Sequence, residues 1–184
     1  MSYQTSFFAS ATTQGIARAV FAATHIPVSV ILAQMSIETG YGTSNLWRQC
    51  HNPAGIKGTG CGAFQSYPSY AAAASGYAAT YHNGYYSHVL AVATSGGSPT
   101  QVAVALGQSP WAGSHYAGAC GSPGCQLVQQ ITTYHLTQYD TGSVHPTPAK
   151  TPRQAPPSLV IPIVLFVVSV LAFGADEALR HEDR

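Results

Sequence analysis

The chain changes character once, near Asp140, and that break limits how much of it can build a core. Residues 1–139 hold all 11 tyrosines, both tryptophans and all four cysteines. Residues 140–158, DTGSVHPTPAKTPRQAPPS, are rich in Pro, Thr and Ser and carry no apolar periodicity. Repeated prolines remove backbone donors and favour extended geometry, so this stretch reads as a linker. LVIPIVLFVVSVLAFGA follows, Leu159–Ala175, uncharged and almost wholly apolar. Its 17 residues reach the lower limit for spanning a bilayer, and Pro162 can be absorbed in a first helical turn. A buried core helix is the alternative, but a segment hanging from an extended linker fits a membrane anchor better. Lys150 and Arg153 on one side balance Arg180 and Arg184 on the other, so charge assigns no orientation. The expected organisation is a folded domain over 1–139, a linker over 140–158, a transmembrane helix over 159–175 and a charged tail over 176–184. The amino-terminal MSYQTSFFASATTQG has neither a basic start nor a continuous apolar run, and does not read as a signal peptide.

Charge excludes several functions. Asp, Glu, Lys and Arg make up 7% of the 184 residues, against about 25% in ordinary globular chains. The formal net charge of +1 supplies no field for gripping nucleic acid. The six carboxylates are Glu38, Asp140, Asp176, Glu177, Glu182 and Asp183, so Glu38 stands alone before Asp140. A two-carboxylate active site, an EF-hand or a carboxylate-held magnesium site is therefore excluded within 1–139. Few carboxylates also predict a native state little affected by acidification below about pH 4, apart from histidine effects, and an acidic extracellular habitat fits that composition.

Helical signals dominate 1–139. Pro27 suits a first turn, Val28, Ile31, Leu32 and Met35 recur on one face, and Gly40 and Gly42 supply the stop. Further helices are predicted over Tyr70–His82 behind Ser69, over Tyr85–Thr94, from Ser98-Pro99 to Gly107, and over Gln126–Leu136. Gln49–Tyr67, rich in Gly and Pro, reads as a long loop or short hairpin. The fold class is mainly α with a possible hairpin.

Cys50, Cys61, Cys120 and Cys125 all lie in Gly/Pro-rich segments. Two disulfides, most simply Cys50–Cys61 and Cys120–Cys125, are expected, although four cysteines allow three pairings. Such bonds imply an oxidising, extracytoplasmic setting. A zinc site on Cys50, His51 and Cys61 is the alternative, but tight CxxC or HxxxH spacing is absent. No metal or cofactor is expected.

Glu38 ends the Pro27–Thr39 helix. The negative end of the helix dipole and an apolar, aromatic surround both favour a protonated carboxyl there, which a glycosidic general acid requires. The following glycines let a sugar chain approach the backbone. A solvated helix-end glutamate is the plain alternative, but such a face normally carries several charges.

IPVSVILAQMSIETGYGTSNL, Ile26–Leu46, resembles the signature of the glucosaminidase domains of glycoside hydrolase family 73, bacterial and phage peptidoglycan hydrolases with a lysozyme-like fold. Pro27, Ala33, Gln34, Glu38, Gly40, Gly42, Ser44 and Leu46 fall in register with it, while Thr39 and Tyr41 replace the family's Ser and Trp. HNPAGIKG, His51–Gly58, is similar to the family's Gly-Ile-Lys-Gly loop through Asn52, Gly55, Ile56, Lys57 and Gly58. AFQSYPSYAAAASGYA, Ala63–Ala78, resembles a third segment through Tyr67, Ser69 and Tyr77; SPWAGSHYAG, Ser109–Gly118, resembles the family's late Tyr-Ala region. The four motifs occur in order across about 25–137.

The resemblance implies an α+β lysozyme-like fold and cleavage of the β-1,4 bond between N-acetylglucosamine and N-acetylmuramic acid in peptidoglycan strands. Glu38 matches the family's catalytic acid. The acidic position of the late region is Gly118 or Ala119 here, so a carboxylate nucleophile lacks support. Attack by the substrate's own acetamide is the preferred route, with Tyr116 in the cleft orienting or stabilising the transition state; a lytic transglycosylase using the sugar's 6-hydroxyl is the other single-acid route. Tyr41, Tyr67 and Trp111 are candidates for stacking on sugar rings, and His115 for lining the cleft beside Tyr116. Asn52 is a candidate substrate contact, although for Asn52 and Lys57 a loop-structuring role is equally available. A non-catalytic wall-binding module on a membrane anchor is the alternative from another class. With the domain held outside the membrane, a host wall-remodelling enzyme and a phage lysis protein both fit.

Overall fold

Pro27 opens the helix around which the rest is arranged. A computed structural model describes residues 2–111 and 115–141, apart from the side chains of His115, Ala119 and Cys120. The expected linker beyond Thr141, the expected membrane helix Leu159–Ala175 and the charged tail lie outside the described residues. Among the described residues no helix is long and apolar enough to cross a membrane.

The architecture is mainly helical with one small sheet, in the order α1 (Tyr3–Ala9), α2 (Ala11–Thr24), α3 (Val28–Thr39), α4 (Asn45–Arg48), β1 (Gly60–Cys61), β2 (Phe64–Gln65), α5 (Tyr70–Tyr81), α6 (Ser87–Thr94), α7 (Pro99–Gly107) and α8 (Cys125–Thr133). Short 3-10 segments cover His115–Cys120 and Leu136–Tyr139. Most starts follow from side chains that accept a bond from a free helical N–H: Ser2, Ser10, Ser44, Ser69 and Ser98 cap α1, α2, α4, α5 and α7. Ser98 forms a reciprocal capping box with Gln101, and Pro99 sits in the first turn.

The periodicity of α3 suggests one buried face, but every residue from Val28 to Ser36 is buried. A helix sheltered on all sides must pair its polar groups internally. Ser36 Oγ donates to Ala33 O at 2.7 Å and Thr39 Oγ1 to Met35 O at 2.6 Å. At the other end, Ser29 donates its backbone N–H to Asp140 Oδ1 (2.8 Å) and its hydroxyl to Oδ2 (2.7 Å). Asp140, read from sequence as the first linker residue, thus belongs to the fold: it supplies the cap that Pro27 cannot give α3. The helices α2, α7 and α8 pack on α3. Val20, Val30, Ile31, Leu32, Val102, Leu106 and Leu127 fill the core between them.

The long Gly/Pro-rich loop contains the hairpin, β1 antiparallel to β2 with Cys61 opposite Phe64. A Cys50–Cys61 disulfide ties the loop's start to β1. Cys125 is disulfide-bonded as well, while the side chain of its expected partner Cys120 lies outside the described residues.

Candidate active site

Glu38 lies in the last turn of α3, half-buried. Its Oε1 accepts a hydrogen bond from the Tyr116 hydroxyl. On the other side the chain passes so close at Gly55 that a Cβ there would stand 2.5 Å from Glu38 Oε2. Gly55 has φ +64°, where a side chain is strained in any case. The Gly-Ile-Lys-Gly turn is thereby brought onto the carboxyl.

Asn52 holds that turn in place. It is fully buried, its Nδ2 donates to Ile56 O and Gln65 O (both 2.9 Å), and its Oδ1 accepts from the backbone of Ala54 (3.3 Å) and Ile56 (3.0 Å). With both amide hydrogens and both acceptor sites used inside the loop, Asn52 has nothing to offer a substrate. The sequence reading as a substrate contact is corrected to a loop-structuring one.

Behind Glu38 lies a buried polar group whose members Gln34, Tyr77 and Tyr116 were read from sequence as motif positions but not as one cluster. Gln34, one helical turn earlier, donates from Nε2 to Tyr116 Oη at 2.9 Å, and the Tyr77 and Tyr81 hydroxyls donate to its Oε1, Tyr81 at 2.5 Å. Burial pushes the pKa of all three phenols well above the ordinary value, and the neighbouring Glu38 charge adds to the effect. Beyond its place in the matched motif, Gln34 stands out in hindsight as the one amide of the helix, four positions before Glu38. Tyr116 itself is fully buried. It therefore sits behind the carboxyl and not in the cleft, contrary to the expectation drawn from its motif.

A cleft of about 490 Å³ opens beside this group, lined by Gly55, Ile56, Lys57, Thr80, Tyr86 and Trp111 among others. Trp111 is half-buried; its ring packs against Tyr77, Tyr81 and Tyr86, and its Nε1–H donates to Ala54 O at 3.2 Å. Lys57 lies over the Phe64 ring, 4.0 Å from its centre. Among the described residues no group of His, Cys, Asp or Glu side chains comes together that could hold a metal ion.

Residues 14–122, more than half of the chain, match the glucosaminidase family model, described as mannosyl-glycoprotein endo-beta-N-acetylglucosaminidase. The chain belongs to this family, glycoside hydrolase family 73. It is a glycosidase by that membership. Among solved structures, the glucosaminidase matches the catalytic domain of the autolysin Auto from Listeria monocytogenes with a TM-score of 0.57 and 24% identity, over 76% of this chain and 88% of that one. That likeness establishes a shared fold. A comparison with curated proteins gave no significant match.

The remaining sequence candidates divide. Trp111 reaches the cleft. The Tyr67 ring lies on α5 at Gly76, one turn before the cleft residue Thr80. Tyr41 is drawn into a separate cluster: its ring meets Tyr3, Phe7, Phe8 and Tyr134 edge-on, and its hydroxyl donates to Gln130 Oε1 at 2.8 Å. Burial and the hydrogen bond with Tyr134 push its pKa up to about 12. The side chain of His115 lies outside the described residues.

Proposed function

We propose that the glucosaminidase hydrolyses peptidoglycan at the β-1,4 bond between N-acetylglucosamine and N-acetylmuramic acid, with Glu38 as general acid and the substrate's acetamide as nucleophile. The observation that carries this reading is the placement of the two described carboxylates at opposite ends of one helix. Asp140 is held at Ser29, nine residues from Glu38, which at 1.5 Å per residue is a separation of about 14 Å. Paired glycosidic carboxylates stand about 5–9.5 Å apart. Asp140 is thus too far to serve as nucleophile or base, and the acetamide, already part of the substrate, supplies the missing group.

Glu38 gives its proton to the departing glycosidic oxygen while the acetamide oxygen attacks the anomeric carbon. Water then opens the cyclic intermediate and returns a proton to Glu38. Tyr116 supports the carboxyl from behind, and Trp111 offers an aromatic wall for a sugar ring, with Tyr67 further along α5. His115 and Tyr41 remain candidates for outer contacts. The domain acts outside the membrane, in keeping with its disulfides, and Leu159–Ala175 tethers it there through the Pro/Thr/Ser-rich sequence that follows Asp140, which gives it reach to the wall.

Mass spectrometry of products from purified peptidoglycan tests the bond and the route together. Reducing-end N-acetylglucosamine is expected. A muramic-acid reducing end would reassign the bond, and an anhydro end would replace acetamide by 6-hydroxyl attack.

A further inference from the structure

Gln34 does more than fill space behind Glu38. Its amide has one oxygen with two acceptor sites and one nitrogen with two hydrogens, and the two ends are told apart by their partners. Tyr77 and Tyr81 each have a single hydroxyl hydrogen, and both reach Gln34 Oε1. That leaves Nε2 to donate to Tyr116 Oη, whose own hydrogen then goes to Glu38 Oε1. Reversing the amide would set its oxygen against Tyr116, turn the Tyr116 hydrogen away from Glu38 and, even with Tyr77 and Tyr81 bonded to each other, leave one buried phenol hydrogen seeking another acceptor. Buried donors without acceptors are costly, so the chain of bonds has one favoured direction.

We propose that Gln34 is a positioning residue that fixes this direction and so places the acidic proton of Glu38 on Oε2, the oxygen against Gly55, which itself lines the cleft. The proposal rests on the reading of Glu38 as the general acid. In the reaction the proton leaves Oε2 for the glycosidic oxygen, which departs with the electron pair of the broken carbon–oxygen bond. The charge left on the carboxylate is shared with Oε1, where the Tyr116 O–H meets it. The water that later adds to the anomeric carbon gives its proton back to Oε2.

Among the described residues, the titratable groups facing this chain are Tyr77 and Tyr81 from α5, Tyr116 from the 115–120 segment and Glu38 itself, with Tyr86 behind Tyr81. Of the other elements packed on α3, α2 carries only the exposed Arg18, α7 carries none, and α8 carries only the disulfide-bonded Cys125. The 136–139 segment brings Tyr139 and then Asp140 at the far end of α3. A carboxyl introduced at position 34 would therefore be the one new group titrating beside Glu38.

Gln34→Glu makes the proposal testable. The neutral acid keeps one acceptor oxygen and one O–H donor and can do what the amide does; the carboxylate only accepts, and pulls the Tyr116 hydrogen away from Glu38. Peptidoglycan cleavage by the full chain should be followed against pH for wild type, Gln34→Glu, Gln34→Leu, Tyr116→Phe and the Gln34→Leu/Tyr116→Phe double variant. Expected are a fall of about 100-fold in kcat for Gln34→Leu with KM changed less than about two-fold. Gln34→Glu should recover most of the rate at acid pH and lose it as pH rises, with its alkaline limb below that of wild type. The double variant should be no slower than Tyr116→Phe alone. An alkaline limb moved upward, which is what mere repulsion between two carboxylates would produce, would overturn the proposal. So would an equal loss at every pH, or additive effects in the double variant. If Gln34→Leu does not fold, the pH profile of Gln34→Glu decides alone. A wild type that cleaves, a dead Glu38→Gln and a pH-independent Gln34→Glu would sink this inference and spare the general acid; no cleavage by wild type would sink both.

Discussion

A methyl group at position 55 would press directly on the Glu38 carboxyl. The Cβ would lie 2.5 Å from Oε2 on a backbone with φ +64°. Gly55→Ala should lose about 1–2 kcal/mol of stability from the left-handed conformation. Its kcat should fall by about tenfold or more, because the acid is displaced. Denaturation and peptidoglycan release measure the two effects, and an unchanged kcat would mean that the carboxyl is not held against this turn. At this scale Glu38 was the most legible residue, since it is the sole carboxylate before Asp140. Gln34 was legible only as a motif position and Tyr81 not at all, because hydrogen bonds between groups 47 residues apart in sequence leave no local pattern. The motif containing Tyr116 was legible, but not that its ring faces inward.

The loop and α3 owe their form to groups brought from elsewhere in the chain. Asn52→Ala removes four bonds to loop backbone and should cost about 3 kcal/mol, read as a shift in the denaturation midpoint. A residue that only touched substrate would lose activity at unchanged stability. Asp140→Ala should cost about 1 kcal/mol through loss of the α3 cap, and a chain cut after Tyr139 should show the same deficit. Replacing both Cys50 and Cys61 by Ser frees a loop of sequence separation 11 and should cost about 3 kcal/mol. Helices with strong punctuation were readable in advance: Pro27 with Gly40, Ser69, and Ser98-Pro99 match the observed limits of α3, α5 and α7 within a residue. By contrast α1 and α2 were not singled out, although Ser2 and Ser10 cap them, because the buried face of α2 includes Thr13, Ala17 and Thr24, small or polar residues that do not read as core. Asp140 looked like linker because its cap is formed with Ser29, 111 residues away.

Over the whole molecule, tyrosine replaces carboxylate as the group whose titration governs stability. Tyr77, Tyr81 and Tyr116 ionise far less readily in the fold than the ordinary phenol near pH 10. Raised folded values mean that their contribution is intact below about pH 10 and is lost above it, as the unfolded chain sheds protons that the fold retains. A melting-temperature profile should stay level up to about pH 10 and then drop steeply; a level profile beyond that would contradict the burial of these hydroxyls. The mainly helical class with a short hairpin was legible from punctuation and composition, whereas the wrapping of α3 on all sides depends on how distant helices pack. The central claim is that one carboxyl does the acid chemistry. Its most direct test incubates the full chain, wild type and Glu38→Gln, with purified peptidoglycan, and measures released reducing ends and protein pelleting with the wall. The account predicts release by wild type alone, with both proteins pelleting; release by Glu38→Gln at the wild-type rate would contradict it.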